Sequence, residues 1–284
     1  DPNHAGALAL WLGANFRREA QLPAGQTDAT RSANYPPAAY FAQAAGADYC
    51  LLALARAVDR NEPAVALGAI EALHKTAGPA SLVADSCGRL PLAEALSFPD
   101  RMVRIRAALT LGLGRPTQPF SNYQNLMPVL SEALMLHRGA RHALVIDPDA
   151  SSSNVISAAL RGDGYEVLSD AALFTGLAKV REHVPGLDVI FVASDIKDPG
   201  LADGLGALRG EFRFASTPVV LIAKTGDAGE VRELVKADSR LAELPQNPTP
   251  SDVGRAIATV SKAVGATTIT PEVGRELARE ATEV

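Results

Sequence analysis

The stretch that decides the fold is His142–Asp149, which reads HALVIDPD. Its apolar part, Ala143–Ile146, is a short run closed by turn-forming residues, a pattern typical of a strand buried in a parallel sheet. Asp147 and Asp149 follow this run directly, where the carboxyl end of the strand would lie. Open α/β sheets bind their ligands at that edge. The stretch therefore predicts a parallel sheet with an acidic site at one edge.

The sequence after this stretch alternates between strand and helix patterns. Apolar runs predict further strands over Tyr165–Leu168, Asp188–Ala193, Val219–Ala223 and Arg240–Leu244. Amphipathic segments predict the connecting helices, the last of them over Ser251–Val264. Five βα units with short connections imply a five-stranded, doubly wound parallel sheet with right-handed crossovers.

The sequence before His142 is predicted to be helical, and it contains an internal repeat. Apolar positions recur at a spacing of 38 residues, as from Val65 to Val103 and from Leu96 to Leu134. Each repeat holds two amphipathic helices joined by a short polar turn. Because neither helix pair can bury its apolar face alone, the repeats must stack.

The repeated region, residues 38–136, resembles the HEAT-repeat family. The segment Asp100–Arg104, which reads DRMVR, is similar to the D-x-x-V-R motif that begins the second helix of such a repeat. The resemblance implies structural roles: Asp100 caps the helix and Arg104 pairs between repeats. The fold class predicted for the whole chain is thus α + α/β, with HEAT-like repeats followed by the sheet.

Three arginines in this region, Arg101, Arg104 and Arg106, form a small basic cluster. One interpretation is a candidate interaction surface for phosphates or an acidic partner. The favoured interpretation is a helix face whose charges pair between repeats, because the half that contains it is almost neutral.

Composition limits the class of protein. The chain has 284 residues, 47% apolar and 21% charged, which fits one or two soluble globular domains. A net charge of −5, with no strongly basic half, argues against a nucleic-acid binder. No apolar run approaches the roughly 20 residues of a membrane span. Cys50 and Cys87 are too few for a disulfide scaffold or a Cys-rich zinc site, and both are expected to be buried.

The predicted domains are a helical repeat domain over residues 1–139, an α/β domain over 140–266 and a C-terminal tail helix over 267–284. Gly112–Asn125 has no helical period and is predicted to project as a loop. The helix that follows starts a third repeat whose second helix is missing. Because the sequence begins with Asp rather than Met, we expect a preceding N-terminal region. The sequence does not determine the location of the protein, and a cytoplasmic one is favoured.

Residues 141–265 resemble the receiver domain of response regulators. The resemblance rests on the acids after the first strand, on Asp188–Gly200 (DVIFVASDIKDPG) and on Thr217–Ala223 (TPVVLIA). It implies a flavodoxin-like fold. In the family, an acidic pair after strand one and an Asp ending strand three hold Mg²⁺, and that Asp accepts a phosphoryl group. A Ser or Thr after strand four and a Lys after strand five complete the site, because they stabilise charge on the phosphoryl oxygens.

The acids of this chain depart from that site. Asp147 matches one acid of the pair, Pro148 takes the adjacent position, and Asp149 comes one residue late. The phospho-acceptor position falls on Ala193, or on Asp195 if the third strand runs two residues longer. The first two acids could also simply cap the next helix or turn.

The remaining positions of the family site also differ. Ala223 occupies the Ser/Thr position, with Thr225 two residues away. Residues 244–248, where the family has its Lys, contain none. The sequence therefore predicts a pseudo-receiver: the fold without the phosphoryl chemistry, and without a cofactor.

The predicted function is a non-enzymatic scaffold that binds a protein partner, in signalling or assembly. The first alternative is a working two-component receiver that holds Mg²⁺ with Asp147, Asp149 and Asp195 and is phosphorylated on Asp195. The second alternative is nucleic-acid binding by the helical surface. The sequence identifies neither the partner nor the compartment.

Overall fold

The computed structural model describes residues 4–22, 26, 35–76, 88–115, 119–139, 141–184, 186–264 and 269–284. The chain divides into two compact units. One comprises Asp1–Leu134 and Leu277–Val284, here called the helical unit, and the other comprises Met135–Glu276, here called the α/β unit. Cys87 and most of residues 23–37, a stretch rich in Gly, Pro, Ser, Thr and Asn whose composition predicts a loop, lie outside the described residues.

Four of the helices that precede the sheet form two stacked pairs. The helices before the sheet are α1 (Ala5–Ala20), α2 (Ala38–Ala45), α3 (Ala47–Arg60), α4 (Pro63–Thr76), α5 (Pro91–Ala95), α6 (Arg101–Leu113) and α7 (Leu126–Met135). Within the helical unit, α3 lies against α4 and α5 against α6. The pairs then stack, since α3 contacts α5 and α4 contacts α6. This is the packing that the repeat predicts, while the assignment to the HEAT family stays a prediction.

The start of α6 shows how sequence fixes a helix boundary. Asp100 is its N-cap, and the carboxylate accepts a hydrogen bond from the N–H of Val103 at 3.0 Å, which confirms the predicted role. The Arg104 side chain is only 1% exposed. Its guanidinium donates to the carbonyls of Phe98 and Pro99, at 2.9 and 2.6 Å, so it fastens the turn between α5 and α6.

The segment Gly112–Asn125 does not project as predicted in its described part. Helix α6 continues to Leu113, and residues 123–125 form a 3-10 helix. The Asn122 amide donates to the Ala93 carbonyl at 3.3 Å, and the Asn125 amide donates to Ser97 Oγ at 3.0 Å. These bonds hold the segment against α5 and the turn that follows it. Hydrophobic periodicity does not predict contacts between polar side chains, so the sequence pattern gave no sign of them.

The free thiol of Cys50 is buried, as predicted. Its Sγ donates to the carbonyl of Ala42 at 3.3 Å. Burial raises the pKa of Cys50 to about 11, so the side chain stays a neutral thiol at physiological pH.

The α/β unit alternates strands and helices as predicted. Its strands are β1 (Arg141–Ile146), β2 (Tyr165–Asp170), β3 (Val189–Ala193), β4 (Val219–Ala223) and β5 (Leu241–Pro245). Its helices are α8 (Ala150–Gly162), α9 (Leu173–His183), α10 (Leu201–Gly210), α11 (Ala228–Ala237) and α12 (Pro250–Val264); α13 (Pro271–Glu283) follows.

The sheet is parallel throughout, with the strand order β2-β1-β3-β4-β5. This is the flavodoxin-like order of a doubly wound sheet, so the fold predicted for this half is confirmed. Every residue of β3 and β4 is buried, as expected for strands covered on both faces. Among the described residues, no helix is both long enough and apolar enough to span a bilayer.

The packing of α1 on α4 can be tested at Gly68. A Cβ added there would lie 2.7 Å from Cγ of Phe16, so Gly68→Ala should overpack this contact. We expect a loss of about 1–3 kcal/mol in the free energy of unfolding of the helical unit. Trp11 is the only tryptophan of the chain, so its fluorescence during urea unfolding reports on that unit.

Gly13→Ala is the matched control. Its Cβ would make an ordinary contact, 3.6 Å from Val65 Cγ1. Since alanine also favours the helix, this variant should be unchanged or more stable by up to about 1 kcal/mol. Equal stability of the two variants would contradict the close packing at Gly68.

The cap of α6 gives a second prediction. Asp100→Ala should destabilise the helical unit by about 1 kcal/mol, whereas Asp100→Asn keeps a capping oxygen and should stay close to wild type. Burial raises the pKa of Asp100, so the folded protein binds its proton more tightly than the unfolded chain does. Wild-type stability should therefore fall as the pH rises through that pKa, and Asp100→Asn should lack this component. Urea unfolding at pH 4 and pH 7, followed by Trp11 fluorescence, checks both points.

Candidate functional site

The candidate site lies at the carboxyl edge of the sheet, where Asp147 follows β1 and Lys224 follows β4. Strand β3 pairs with both of these strands, with Ile146 opposite Val192 and Ala193 opposite Ile222. The three parallel strands therefore end together, and the residues that follow them share one edge.

A buried ion pair occupies this edge. Nζ of Lys224 lies 2.8 Å from Oδ1 of Asp147 and 3.0 Å from Oδ2. The lysine side chain is 7% exposed and the aspartate side chain is fully buried. Oδ2 of Asp149 lies 3.9 Å from the same ammonium, but this carboxylate is about half exposed. One lysine thus compensates the charge of the buried acid and faces the second.

The acids are also engaged by the backbone. The N–H of Asp149 donates to Oδ1 of Asp147 at 3.0 Å. Asp149 is the N-cap of α8, since its Oδ1 accepts a hydrogen bond from the N–H of Ser151 at 2.9 Å. The capping interpretation is therefore confirmed for Asp149. Asp147 instead accepts the N–H of Asp149 within the turn and pairs with Lys224.

The end of β3 separates the two candidates for the phospho-acceptor position. The strand ends at Ala193, which is fully buried and has no oxygen to phosphorylate. Asp195 lies in the turn beyond the strand and is exposed. Between them, Ser194 Oγ donates to Asp227 at 2.8 Å and accepts the N–H of Lys224 at 3.0 Å. The strand does not run two residues longer, which was the condition for placing Asp195 at the strand end.

The other predicted positions face each other across β4 and β5. Thr225 donates through its N–H and its hydroxyl to Oε1 of Gln246, at 3.1 and 2.5 Å. Gln246 thus lies in the segment where the family has its lysine. At this point of the sheet edge the chain therefore has the Gln246 amide and not a lysine ammonium.

The site does not fit the Mg²⁺ centre that the receiver resemblance implies. Among the residues that the structure describes, no three His, Cys, Asp or Glu side chains group so as to hold a metal ion. Both oxygens of Asp147 already contact the lysine ammonium. A divalent cation bound to this carboxylate would have to displace Lys224.

The three arginines of the candidate interaction surface do not form an exposed basic cluster. Arg104 is buried against carbonyls, as described above. Arg101 Nε lies 2.6 Å from Glu132 Oε1, and Arg106 lies 2.8 Å from Glu280 Oε2. Arg101 and Arg106 are therefore paired with acids, as the favoured interpretation predicts, whereas the Arg104 guanidinium donates to carbonyls of the turn between α5 and α6, which the predicted pairing between repeats does not include. The cluster is not the exposed basic surface that phosphate binding would need.

Sequence reasoning missed Lys224, although the sequence contains the signal. The lysine directly follows the apolar run Val219–Ala223, as Asp147 follows its own strand. The rule that places the acid at the carboxyl edge places the lysine there too. The receiver resemblance implies a lysine after the fifth strand instead.

No protein-family model matches the sequence, and no curated protein matches it. Among solved structures, the chain is similar to the chemotaxis response regulator CheY4 of Vibrio cholerae, with 20% identity and a TM-score of 0.37; the match covers 43% of this chain and 98% of that one. It is also similar to a response-regulator receiver domain protein from Clostridium thermocellum, with 22% identity and a TM-score of 0.38, covering 43% and 95%. The receiver-like fold of this half rests on its own strand order and register.

Proposed function

We propose that the α/β unit is a pseudo-receiver and that the chain works as a non-enzymatic module for binding a protein partner. The observation that carries this proposal is the buried pair of Lys224 and Asp147 at 2.8 Å. It places a positive side chain of the chain itself against the acid that, in the receiver family, would help to hold Mg²⁺.

The free-energy cost of separating this ion pair supports the proposal. Removing two charges from water is costly, and their attraction offsets that cost only while both are present. Displacing the ammonium would leave Lys224 without its buried counterion. The proposed domain is therefore held in one electrostatic state, independent of Mg²⁺ and of phosphate donors.

The surface of the helical unit supports a protein as the partner. Trp11 is 38% exposed and Tyr40 is 59% exposed. Their rings lie 5.1 and 5.7 Å from the ring of Phe41, which links them into one aromatic group. Tryptophan and tyrosine are the residue types that most often dominate binding energy in protein interfaces.

The second candidate function is a working receiver that is phosphorylated on Asp195. One observation favours it: this carboxylate is exposed, and no hydrogen bond or ion pair to another described residue engages it. It would require Lys224 to leave Asp147 when Mg²⁺ binds.

Phosphorylation of the intact chain separates the two functions. With acetyl phosphate and Mg²⁺, we expect the mass of the wild-type protein to stay unchanged, because the Asp147 carboxylate is already paired with Lys224 and the described residues group no three metal-binding side chains. Beryllofluoride with Mg²⁺ should likewise leave the NMR signals around Asp195 in place. An adduct on Asp195, lost in Asp195→Asn, would overturn the pseudo-receiver and establish the second function.

The role of the ion pair can be measured separately. Lys224→Met leaves a buried carboxylate without its counterion, so we expect a loss of about 3–5 kcal/mol in the stability of the α/β unit. Hydrogen exchange of the β1 and β4 amides measures this loss. Adding Asp147→Leu to Lys224→Met should recover most of it, because the two charges are then removed together.

Lys236→Met is the matched control. Lys236 is 71% exposed and pairs with Glu233, one turn away on the same helix surface. Its loss should change stability by no more than about 0.5 kcal/mol. Similar effects of the two lysine variants would show that the buried pair does not hold the sheet edge.

A further inference from the structure

Helix α6 is buried nearly all round. Its buried residues are Met102, Val103, Arg104, Ile105, Ala107, Ala108, Leu109, Thr110, Leu111 and Gly112. A helix without an exposed face lies in the middle of its domain, with neighbours on every side. The sequence instead places α6 in the last complete repeat of the array, where one face should be open.

The elements around α6 account for its burial. Helices α4 and α5 lie against it, and Arg101 at its start pairs with Glu132 of α7. Further contacts come from the C-terminal segment Leu277–Val284, which belongs to the helical unit.

Two contacts hold this segment against α6. Arg106 NH1 donates to both carboxylate oxygens of Glu280, at 3.0 and 2.8 Å, and both side chains are about one-fifth exposed. Further along, the Val284 side chain lies directly on the backbone of Gly112, because a Cβ there would overlap it. The two contacts are six residues apart on α6, so they fix position and direction together.

The docked part of α13 has the pattern of a cap. Leu277, Ala278 and Ala281 form a buried stripe, with a spacing typical of one helix face. Glu276 and Arg279 lie on the opposite, exposed face. Arrays of helical repeats need terminal helices of this kind, with an apolar inner face and a polar outer face.

We propose that Leu277–Val284 is the capping helix of the helical array, taking the place of the second helix that the third repeat lacks. The α/β unit is then an insertion between the last two helices of that array. The outer face of α6 is a helix-binding surface whose occupant is the chain's own C-terminal helix. A partner that uses this end of the array must first displace α13.

Charge reversal in the full-length chain tests this proposal. Glu280→Arg places a second positive side chain beside Arg106, where α13 contacts α6. We expect amide exchange to become at least fivefold faster both in α13 from Leu277 onwards and in the last two turns of α6. The urea midpoint followed by Trp11 fluorescence should fall as well.

Two variants make the result specific. Glu276→Arg makes the same charge change on the outer face of α13 and should leave exchange within twofold of wild type. The swap of Arg106→Glu with Glu280→Arg restores an ion pair and should return exchange in both helices to near the wild-type rate.

The proposal is overturned if Glu280→Arg accelerates exchange in α13 but leaves α6 unchanged, because α13 would then not cover that helix. It is also overturned if Glu276→Arg has the same effect as Glu280→Arg. If the swap does not restore protection from amide exchange, the ion pair does not hold α13 on α6, and the proposal fails in that case too.

Discussion

A carboxylate without any exposed surface has to be neutralised, and this requirement governs the α/β unit. Asp147 follows β1, an inner strand of the sheet that is buried from its second residue to its last, and the Asp147 side chain is itself fully buried. An unpaired charge there would cost several kcal/mol. Lys224 meets the requirement from β4, two strands away in the sheet order. The compensating positive charge is therefore supplied by a side chain of the same domain.

Hydrogen bonds close more of the sheet edge around this pair. Ser194 accepts the N–H of Lys224 and so fixes where the lysine leaves its strand. Thr225 donates to Gln246, which ties the ends of β4 and β5 together. Ion pair and hydrogen bonds together connect the ends of β1, β3, β4 and β5. The edge that is a ligand site in many α/β proteins is here largely occupied by the chain's own side chains.

Periodicity predicted most of the architecture, because burial imposes it. The apolar runs gave all five strands, and the repeat of 38 residues gave the stacked helix pairs. Partners far apart in the chain were not predictable in this way. Lys224 and Asp147 are 77 residues apart, and Arg106 and Glu280 are 174 apart. A local pattern can place Lys224 at a strand end, but it does not show which distant acid the lysine meets, and no local pattern links Arg106 to Glu280.

The assignment of Leu277–Val284 to the helical unit has a consequence for synthesis on the ribosome. The N-terminal helices emerge early, but this segment is translated only after the whole α/β unit. Until then, the face of α6 that it covers is open to water and to chaperones. Nascent chains would therefore carry an apolar helix surface throughout translation of the sheet, and a product that stops at Glu276 would retain it.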